Sequence, residues 1–288
     1  MEITEKNRLE KSTLYLVGTP IGNLSDISER AKKVLSEVDF IAAEDTRNSM
    51  KLCTLLGIRG EFVSYYEHNK KASGEKILAR LLSGENCALI TDAGMPAISD
   101  PGEDIVRLCA ENGVTVSVIP GPCAAISALA LSALSSSRFC FEGFLPAKDS
   151  DRKKRLSPLS REERTMIFYE APHKLKATLA DMRESFGGER KISLSRELTK
   201  LNEEVIRATL DGAIAIYAEK EPKGEYVIVV DGYTGNTDAE ENPLLALSPK
   251  EHIEHYINSG LSKMDAIKAA AKDRKVPKSE MYKYTVNE

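Results

Sequence analysis

The sequence predicts an α/β protein with more than one domain. Short apolar runs alternate with amphipathic helical patterns from about residue 14 onward, and such alternation is typical of a mostly parallel sheet with helices on its faces. The alternation breaks at a serine-rich stretch, residues 132–137, and a second series of strands and helices follows. A length of 288 residues also exceeds the usual size of one domain.

These changes in composition divide the chain into five segments. We predict an N-terminal tail over 1–12, an N-terminal α/β domain over 13–134, a C-terminal α/β domain over 135–232, a linker over 233–247 and a helical extension over 248–288. The linker is polar and contains Gly, Asn and Asp. A capping box over residues 248–251, with proline at the first helical position, predicts the first of about three helices in the extension.

Apolar runs and helical spacing predict the individual elements. The predicted strands of the first domain cover residues 14–17, 40–43, 62–66, 87–91 and 114–119. Its predicted helices begin at a cap on Ser25 or Asp26, at Met50, before Ile77, near Glu103 and at Cys123. In the second domain we predict strands over 165–169, 192–195 and 226–230 and a helix over 175–186.

Composition limits the function and the compartment. The net charge of −4 provides no global basic field, so any nucleic acid must be bound by local patches. The five cysteines are scattered and contain no C-x-x-C pair, which predicts no zinc site, no disulfide framework and a reducing cytoplasm. No His, Cys and Asp cluster has metal-ligand spacing, and no apolar run is long enough to span a membrane.

Three glycine- and proline-rich turns follow predicted strands of the first domain, at residues 18–23, 92–102 and 120–124. Because parallel strands end at one edge of a sheet, these turns could form the wall of a pocket for a small, partly apolar ligand. The alternative is three rigid loops without a ligand. Neither the dinucleotide fingerprint nor a P-loop motif is present, which argues against an ordinary Rossmann or P-loop site.

Charged residues at strand ends are candidates for chemistry. Glu44 or Asp45 could act as a base or could cap the following helix, and Arg47 could bind a phosphate or pair with one of these carboxylates. His173 follows a strand end and could titrate or hold a substrate oxygen, although a lone histidine is often structural. The basic run over residues 148–155 could contact RNA or could be a solvated helix face.

Seven motifs occur in the order and spacing of one known family. They are VGTPIGNL at 17–24, AEDTR at 43–47, DAGMPAISDPG at 92–102, PGP at 120–122, FYEAPH at 168–173, RELTK at 196–200 and KGE at 223–225. In these motifs the chain resembles the bacterial small-subunit (16S) rRNA (cytidine-2′-O)-methyltransferases, a branch of the tetrapyrrole methylase superfamily. The resemblance covers about residues 13–230, and the tail near 260–268 is similar to the family's C-terminal extension.

The resemblance implies two α/β domains with S-adenosylmethionine in the cleft between them, usually in a homodimer. It assigns the cofactor pocket to Pro20, Ile21, Gly22, Asp92, Ala93, Gly94, Ile98, Cys123, Ala124, Ala171 and Pro172. The implied reaction is methyl transfer from the sulfonium to the 2′-hydroxyl of a cytidine in the decoding centre of 16S rRNA, on the 30S ribosomal subunit.

A ribose hydroxyl is a weak nucleophile, so a base or a nearby cation should assist its deprotonation. We expect Glu44, Asp45, Arg47, Glu170 and His173 around the acceptor ribose, with the base unassigned. We expect RNA contacts from Asn23, Arg47, Lys148, Arg152, Lys153, Lys154, Arg155, Arg196 and Lys200. The alternatives are an enzyme of the same superfamily that methylates a tetrapyrrole or a protein, and a non-catalytic ribosome-associated RNA-binding protein.

Overall fold

The structure, a computed structural model, describes residues 8–235, 243–245, 247–274 and 276–285. The chain forms two compact units that divide between Gly232 and Tyr233, and each is described by itself. Parts of the predicted tail and linker, residues 1–7, 236–242 and 246, lie outside the described residues.

The larger unit begins with a five-stranded parallel sheet. Its strands are β1 (Thr13–Val17), β2 (Phe40–Ala43), β3 (Glu61–Ser64), β4 (Cys87–Ile90) and β5 (Thr115–Ile119), in the order β3-β2-β4-β1-β5. All four pairings are parallel. Its helices are α1 (Glu29–Glu37), α2 (Thr46–Leu55), α3 (Lys70–Leu82) and α4 (Gly102–Glu111). The predicted parallel sheet is confirmed.

The first sheet is covered on both faces, which explains why its central strands read as continuous apolar runs. Alternate residues along β1 separate into two cores: Tyr15 and Val17 belong to the one that includes α1, and Leu14 belongs to the one that includes α3 and α4. Every residue of β2 and of β4 is buried. This burial fixes the strand register, so the carboxyl ends of these strands are rigid supports for the loops that follow.

The second part of this unit is a mixed sheet, preceded by α5 (Ala124–Leu131). Its elements are β6 (Phe139–Phe144), α6 (Asp149–Leu159), β7 (Thr165–Glu170), α7 (Pro172–Phe186), β8 (Lys191–Arg196), β9 (Glu204–Thr209), α8 (Leu210–Glu219) and β10 (Tyr226–Val230). The strand order is β6-β7-β10-β8-β9, in which β6 and β7 are parallel and the other neighbours are antiparallel.

Helix α5 covers one face of the second sheet, where Ala125 and Leu129 pack with Ile167 and Val229. Helices α6, α7 and α8 contribute to the core on the other face. A helix that follows the last strand of the first sheet is therefore part of the packing of the second. This arrangement brings the strand ends of both sheets to one region.

Three predicted helix starts differ from the structure for local reasons. Helix α1 is capped by Ser28, because Asn23 caps a separate 3₁₀ turn over Leu24–Asp26 and ends the loop before it. Helix α2 begins at Thr46 rather than Met50, because the carboxylate of Asp45 accepts a hydrogen bond from the Arg47 backbone N at 2.9 Å. Helix α7 begins at Pro172, where proline lacks an N–H that the first helical turn leaves unpaired anyway.

The smaller unit contains α9 (Pro249–Asn258), α10 (Lys263–Asp273) and α11 (Lys278–Tyr282), which confirms the predicted helical extension. The predicted capping box between Ser248 and Glu251 is present. His252 is fully buried and lies with Nε2 3.1 Å from an Asp273 carboxylate oxygen. Burial lowers the pKa of His252, so its ring is neutral at physiological pH. Among the described residues, no helix is both long and apolar enough to cross a membrane.

Candidate active site

The three glycine- and proline-rich turns of the first sheet meet at the carboxyl ends of its strands. Thr19 N donates to Gly94 O at 2.9 Å and Gly94 N donates to Thr19 O at 3.1 Å, so the turns after β1 and β4 form a bridge. A Cβ added to Gly18 would lie 2.7 Å from the Gly121 Cα, closer than real side chains allow. The absence of a side chain at both glycines therefore lets the turns after β1 and β5 touch.

A cavity of about 550 Å³ opens between these turns and the second sheet. This volume lies within the range typical of small-ligand sites. The first sheet and the turns after it, with the start of α5, contribute Ile21, Glu44, Thr91, Asp92, Ala93, Gly94, Met95, Ile98, Ser99, Asp100, Cys123 and Ala124. The second sheet and its loops contribute Phe144, Tyr169, Glu170, Ala171, Pro172, His173, Ser195, Glu197, Leu198, Lys200, Glu225 and Val227.

The residues predicted to hold the cofactor lie at this cavity, with two exceptions. Pro20 and Gly22 are not among the lining residues, whereas the other nine are. A Cβ on Gly22 would lie 2.4 Å from Lys200 Cγ and 3.0 Å from the Leu198 carbonyl oxygen. Gly22 therefore allows close approach between the two sheets' loops, and this is the role that the structure indicates for it.

The loop after β4 is held in an unusual backbone conformation. Ala97 and Ser99 have φ values of 66° and 65°, in the left-handed region that non-glycine residues rarely adopt. Asp100 Oδ1 fixes the loop by accepting hydrogen bonds from Ala97 N at 3.0 Å and Gly102 N at 2.7 Å. Such strained residues cluster at ligand sites, because only surrounding structure can hold them.

The first-sheet side of the cavity is acidic. Glu44 is exposed but partly desolvated, and this desolvation raises the pKa of its carboxyl group. The nearby carboxylates of Asp92 and Asp100 raise the pKa further. Asn48 Nδ2 donates to Asp92 Oδ2 at 3.3 Å. Three carboxylates in one region attract a cationic ligand group and disfavour an anionic one.

The five residues expected at the acceptor ribose are in different positions. Glu44 and His173 line the cavity and are exposed. Asp45 and Arg47 are outside the cavity lining, and the Arg47 guanidinium pairs with Asp45 at 3.1 Å. Glu170 lines the cavity, but its carboxylate accepts from Ala171 N at 2.8 Å and from Thr178 Oγ1 at 2.6 Å. Glu170 therefore holds the start of α7 in place, which is a structural role.

The basic run over 148–155 covers the N-cap and the first part of α6, and most of its cations are in ion pairs. Arg152 is 5% exposed, and its guanidinium donates to Asp181 at 2.5 Å and Asp149 at 3.1 Å. Arg152 is therefore not available to RNA, and its expected phosphate contact is wrong because the charge is neutralised inside the protein. Lys153 pairs with Glu184, Arg155 with Glu142, and Lys148 lies 4.0 Å from Asp151, whereas Lys154 is exposed.

The other residues expected at RNA are outside the cavity lining, with one exception. Asn23 caps the 3₁₀ turn with its side chain, and Arg196 pairs with Glu204 at 3.1 Å. Lys200 lines the cavity and lies 2.8 Å from both Glu197 and Glu225. The described residues contain no cluster of three or more His, Cys, Asp and Glu side chains arranged to hold a metal ion.

Several cavity residues were not predicted from the sequence. Tyr169 accepts a hydrogen bond from Ala125 N at 3.3 Å, and burial raises the pKa of its hydroxyl to about 12. Ser195, Glu197, Leu198 and Val227 come from the second sheet and its loops. Glu197 and Thr199 have φ values of 52° and 66°, but no glycine or asparagine marks these positions in the sequence.

The comparisons with known proteins identify the class. A family model described as Tetrapyrrole (Corrin/Porphyrin) Methylases matches residues 13–214, and the chain belongs to this family. In fold it is similar to a diphthine synthase (TM-score 0.58, 15% identity, 76% of this chain and 90% of that one). It is also similar to the uroporphyrin-III-C-methyltransferase of Thermus thermophilus (TM-score 0.53, 20% identity, 78% and 96%).

Relatives with higher sequence identity than these two structures share one name. The chain is 46% identical to the Ribosomal RNA small subunit methyltransferase I of Bacillus subtilis (strain 168) over 282 residues, which is 98% of this chain and 96% of the relative. It is 43% identical to the protein of that name from Escherichia coli O157:H7 over 277 residues, 96% of this chain and 95% of the relative.

Proposed function

We propose that this chain uses S-adenosylmethionine to methylate 16S rRNA, at the ribose 2′-hydroxyl of a cytidine in the decoding centre. The names of the full-length relatives support the rRNA substrate, and the sequence motifs support the cytidine 2′-hydroxyl. The observation that carries the proposal is the cavity between the two sheets, because it combines an acidic region with an apolar one.

The cavity residues fit S-adenosylmethionine. This ligand has a cationic amino acid and sulfonium half, which suits the region of Glu44, Asp92 and Asp100. Its nucleoside half suits the apolar residues of α5 and the second sheet. When bound, S-adenosylmethionine supplies an already activated methyl group. The loops of the protein then have to hold donor and acceptor in line, which can provide much of the rate.

Two exposed side chains are suited to assist the acceptor hydroxyl. The raised pKa of Glu44 makes it a stronger base than an ordinary carboxylate, and His173 lies at the start of α7 on the opposite side. Both line the cavity, and neither makes an ion pair with another residue in the part of the chain that the structure describes. We propose that one of them accepts the ribose proton while the other orients the hydroxyl.

The same proposal includes the partners. The 30S subunit would be contacted by exposed cations, of which Arg47 and Lys154 remain candidates for phosphate. Lys200 lines the cavity and is a candidate for the phosphate nearest the target nucleotide, although that phosphate would compete with Glu197 and Glu225, each 2.8 Å from the ammonium. We also propose that the chain forms a homodimer and acts in the cytoplasm.

Labelled S-adenosylmethionine tests the substrate directly. The protein is incubated with 30S subunits, with naked 16S rRNA and with a porphyrinogen, and the labelled atom is located by nuclease digestion and mass spectrometry. We expect label on the 2′-oxygen of one cytidine. Label on the porphyrinogen would show a tetrapyrrole methylase instead. Binding of S-adenosylmethionine and RNA without any transfer would show an RNA-binding protein.

An Arg47→Ala variant tests the RNA contact separately from the cofactor site. Arg47 is exposed at the start of α2, so we expect weaker rRNA binding and a salt slope reduced by about 1, with unchanged affinity for S-adenosylmethionine. Lys51→Ala is the matched control, because it removes an exposed cation from the same helix. Equal effects of both variants would remove Arg47 from the RNA contacts.

A further inference from the structure

Ser195 is a buried hydroxyl that the residues around it leave without a hydrogen bond. It lies at the second-last position of β8 and is 1% exposed. Its Oγ has no hydrogen-bond partner among the described residues, although Ser195 lines the cavity. Native proteins pair nearly all such groups, since an unpaired buried hydroxyl costs about 1–3 kcal/mol. A ligand in the cavity is therefore the natural partner for this hydroxyl.

The surroundings of Ser195 indicate which part of a ligand it would meet. Ser195 lies opposite Val227 in the antiparallel pairing of β8 with β10, so the two side chains point to the same face. Val227, Leu198, Cys123 and Ala124 belong to one apolar cluster on this face. The carboxylates of Glu44, Asp92 and Asp100, by contrast, belong to the first sheet's loops, where they interact with one another.

We propose that Ser195 is a positioning residue that hydrogen-bonds the nucleoside half of the methyl donor. This inference rests on the proposed function and assigns a contact that the sequence motifs did not indicate. A cationic sulfonium and ammonium match the carboxylates, which leaves the purine and ribose for the apolar region. A purine nucleoside there carries several ring nitrogens and hydroxyls, and the Ser195 hydroxyl can either donate to or accept from one of them.

The chain itself contains a close control. Ser193 lies two residues earlier on β8, opposite Val229, and is 0% exposed. Its Oγ also has no hydrogen-bond partner among the described residues, but Ser193 does not line the cavity. The two serines therefore share residue type, strand, sheet face and burial. They differ in that Ser195 lines the cavity and Ser193 does not.

Calorimetry on the full-length protein tests the proposal without a methylation assay. We would titrate S-adenosylhomocysteine and 5′-methylthioadenosine, which keeps the nucleoside half and lacks the amino acid, into wild type, Ser195→Ala and Ser193→Ala. We expect Ser195→Ala to weaken both ligands by the same factor, about 3- to 10-fold, the value of one hydrogen bond. Ser193→Ala should leave both affinities within about twofold of wild type.

Thermal unfolding without ligand provides a second readout. Because each variant removes an unpaired buried hydroxyl, neither Ser195→Ala nor Ser193→Ala should lower the midpoint of unfolding. A lowered midpoint for Ser195→Ala alone would show that its hydroxyl has a protein partner and would overturn the proposal. Unchanged affinity in Ser195→Ala, or a loss for S-adenosylhomocysteine but not for 5′-methylthioadenosine, would overturn it as well.

The outcomes also separate this proposal from the one on which it rests. If the wild-type protein binds neither ligand, the proposed use of S-adenosylmethionine is wrong and the role of Ser195 is wrong with it. If wild type binds both ligands and Ser195→Ala binds them equally well, the cofactor site stands and the Ser195 contact alone is wrong.

Discussion

The first sheet reaches the cavity through loops in which backbones touch, whereas the second sheet reaches it mainly through side chains on strand ends and helix starts. Gly18 and Gly121 meet with no room for a Cβ, and Thr19 is bridged to Gly94 by two backbone hydrogen bonds. In the second sheet with its helices and loops, which we call the second region, Ser195 projects from a strand and Glu170 holds the start of α7 with its carboxylate. Two α/β layers therefore form the two sides of one site differently: one side depends on contacts between backbones, and the other depends on individual side chains.

The loops of the first sheet, which we call the first region, and the second region should therefore respond differently to substitution. A side chain added to the first region displaces backbone, and this affects several loops at once. A side chain removed from the second region leaves a specific group without its partner. Four further variants test this contrast, in order from the largest expected effect to the smallest.

Arg152→Ala should have the largest effect on stability. It removes the buried guanidinium partner of Asp181, which is 6% exposed, and leaves that carboxylate with Lys153 Nζ at 3.7 Å. Loss of a buried partner costs about 3–5 kcal/mol, and because Lys153 remains we expect a loss of about 3 kcal/mol of unfolding free energy. Lys154→Ala, two residues later on the same helix and exposed, should change stability by less than about 0.5 kcal/mol. Denaturant unfolding measures both. If the two variants are equally stable, the second region does not depend on this buried pair.

Gly18→Ala should be the next most destabilising change. The new Cβ would lie 2.7 Å from the Gly121 Cα, so backbone must move, and we expect a loss of about 1–3 kcal/mol together with weaker cofactor binding. Gly60→Ala is the control, because its Cβ would meet only Ile41 Cδ1 at an ordinary 3.7 Å. Wild-type stability and binding in Gly18→Ala would contradict the close packing of the loops.

Asp92→Asn should affect binding according to ligand charge. Asp92 lies in the acidic region, so removal of its charge should weaken S-adenosylmethionine by about fivefold more than S-adenosylhomocysteine, which lacks the sulfonium charge. Glu225→Gln in the second region should discriminate less, because Lys200 lies 2.8 Å from that carboxylate. Competition binding measures the affinities of both ligands for wild type and for each variant, and equal discrimination by both variants would contradict separate roles for the two regions.

Glu44→Gln should produce a small, pH-dependent gain in stability. A pKa raised above the ordinary 4.5 means that the folded state binds the proton more readily than the unfolded state, so wild type loses stability as the pH rises through this range. At neutral pH the variant should be more stable by less than about 1 kcal/mol, since solvent screens the exposed carboxylate. Near pH 4 the gain should disappear. A gain that is independent of pH would exclude the electrostatic explanation.

The sequence was most informative for loops in which the same residue types indicate both a turn and a ligand site. The loop after β4 carries glycine, proline and aspartate, and these residues predicted both a turn and a ligand site at the carboxyl edge of a parallel sheet. It was less informative for the second region. Strand β9 is charged and only partly buried, and α8 contains a glycine, so neither showed the pattern from which elements are predicted.

Charge alone was the least reliable indication of function. Arg152 and Lys154 are indistinguishable as members of one basic run, and only the position of Asp181 on α7 shows that the first is internal. The same applies to Glu170, whose carboxylate was a candidate for catalysis until Thr178 proved to be its partner. Partners that are distant along the chain decide whether a charge is available to a substrate.

By itself, the sequence determined the parallel sheet, the helical extension and the turns that could bring backbone close to a ligand, because local periodicity and turn residues specify these features. Only the tertiary structure decided which side chains share the cavity. Strand order and pairing direction in the second sheet place Ser195 beside Val227 and aim both at the face covered by α5. Long-range packing sets that placement, so no pattern within β8 could distinguish Ser195 from Ser193.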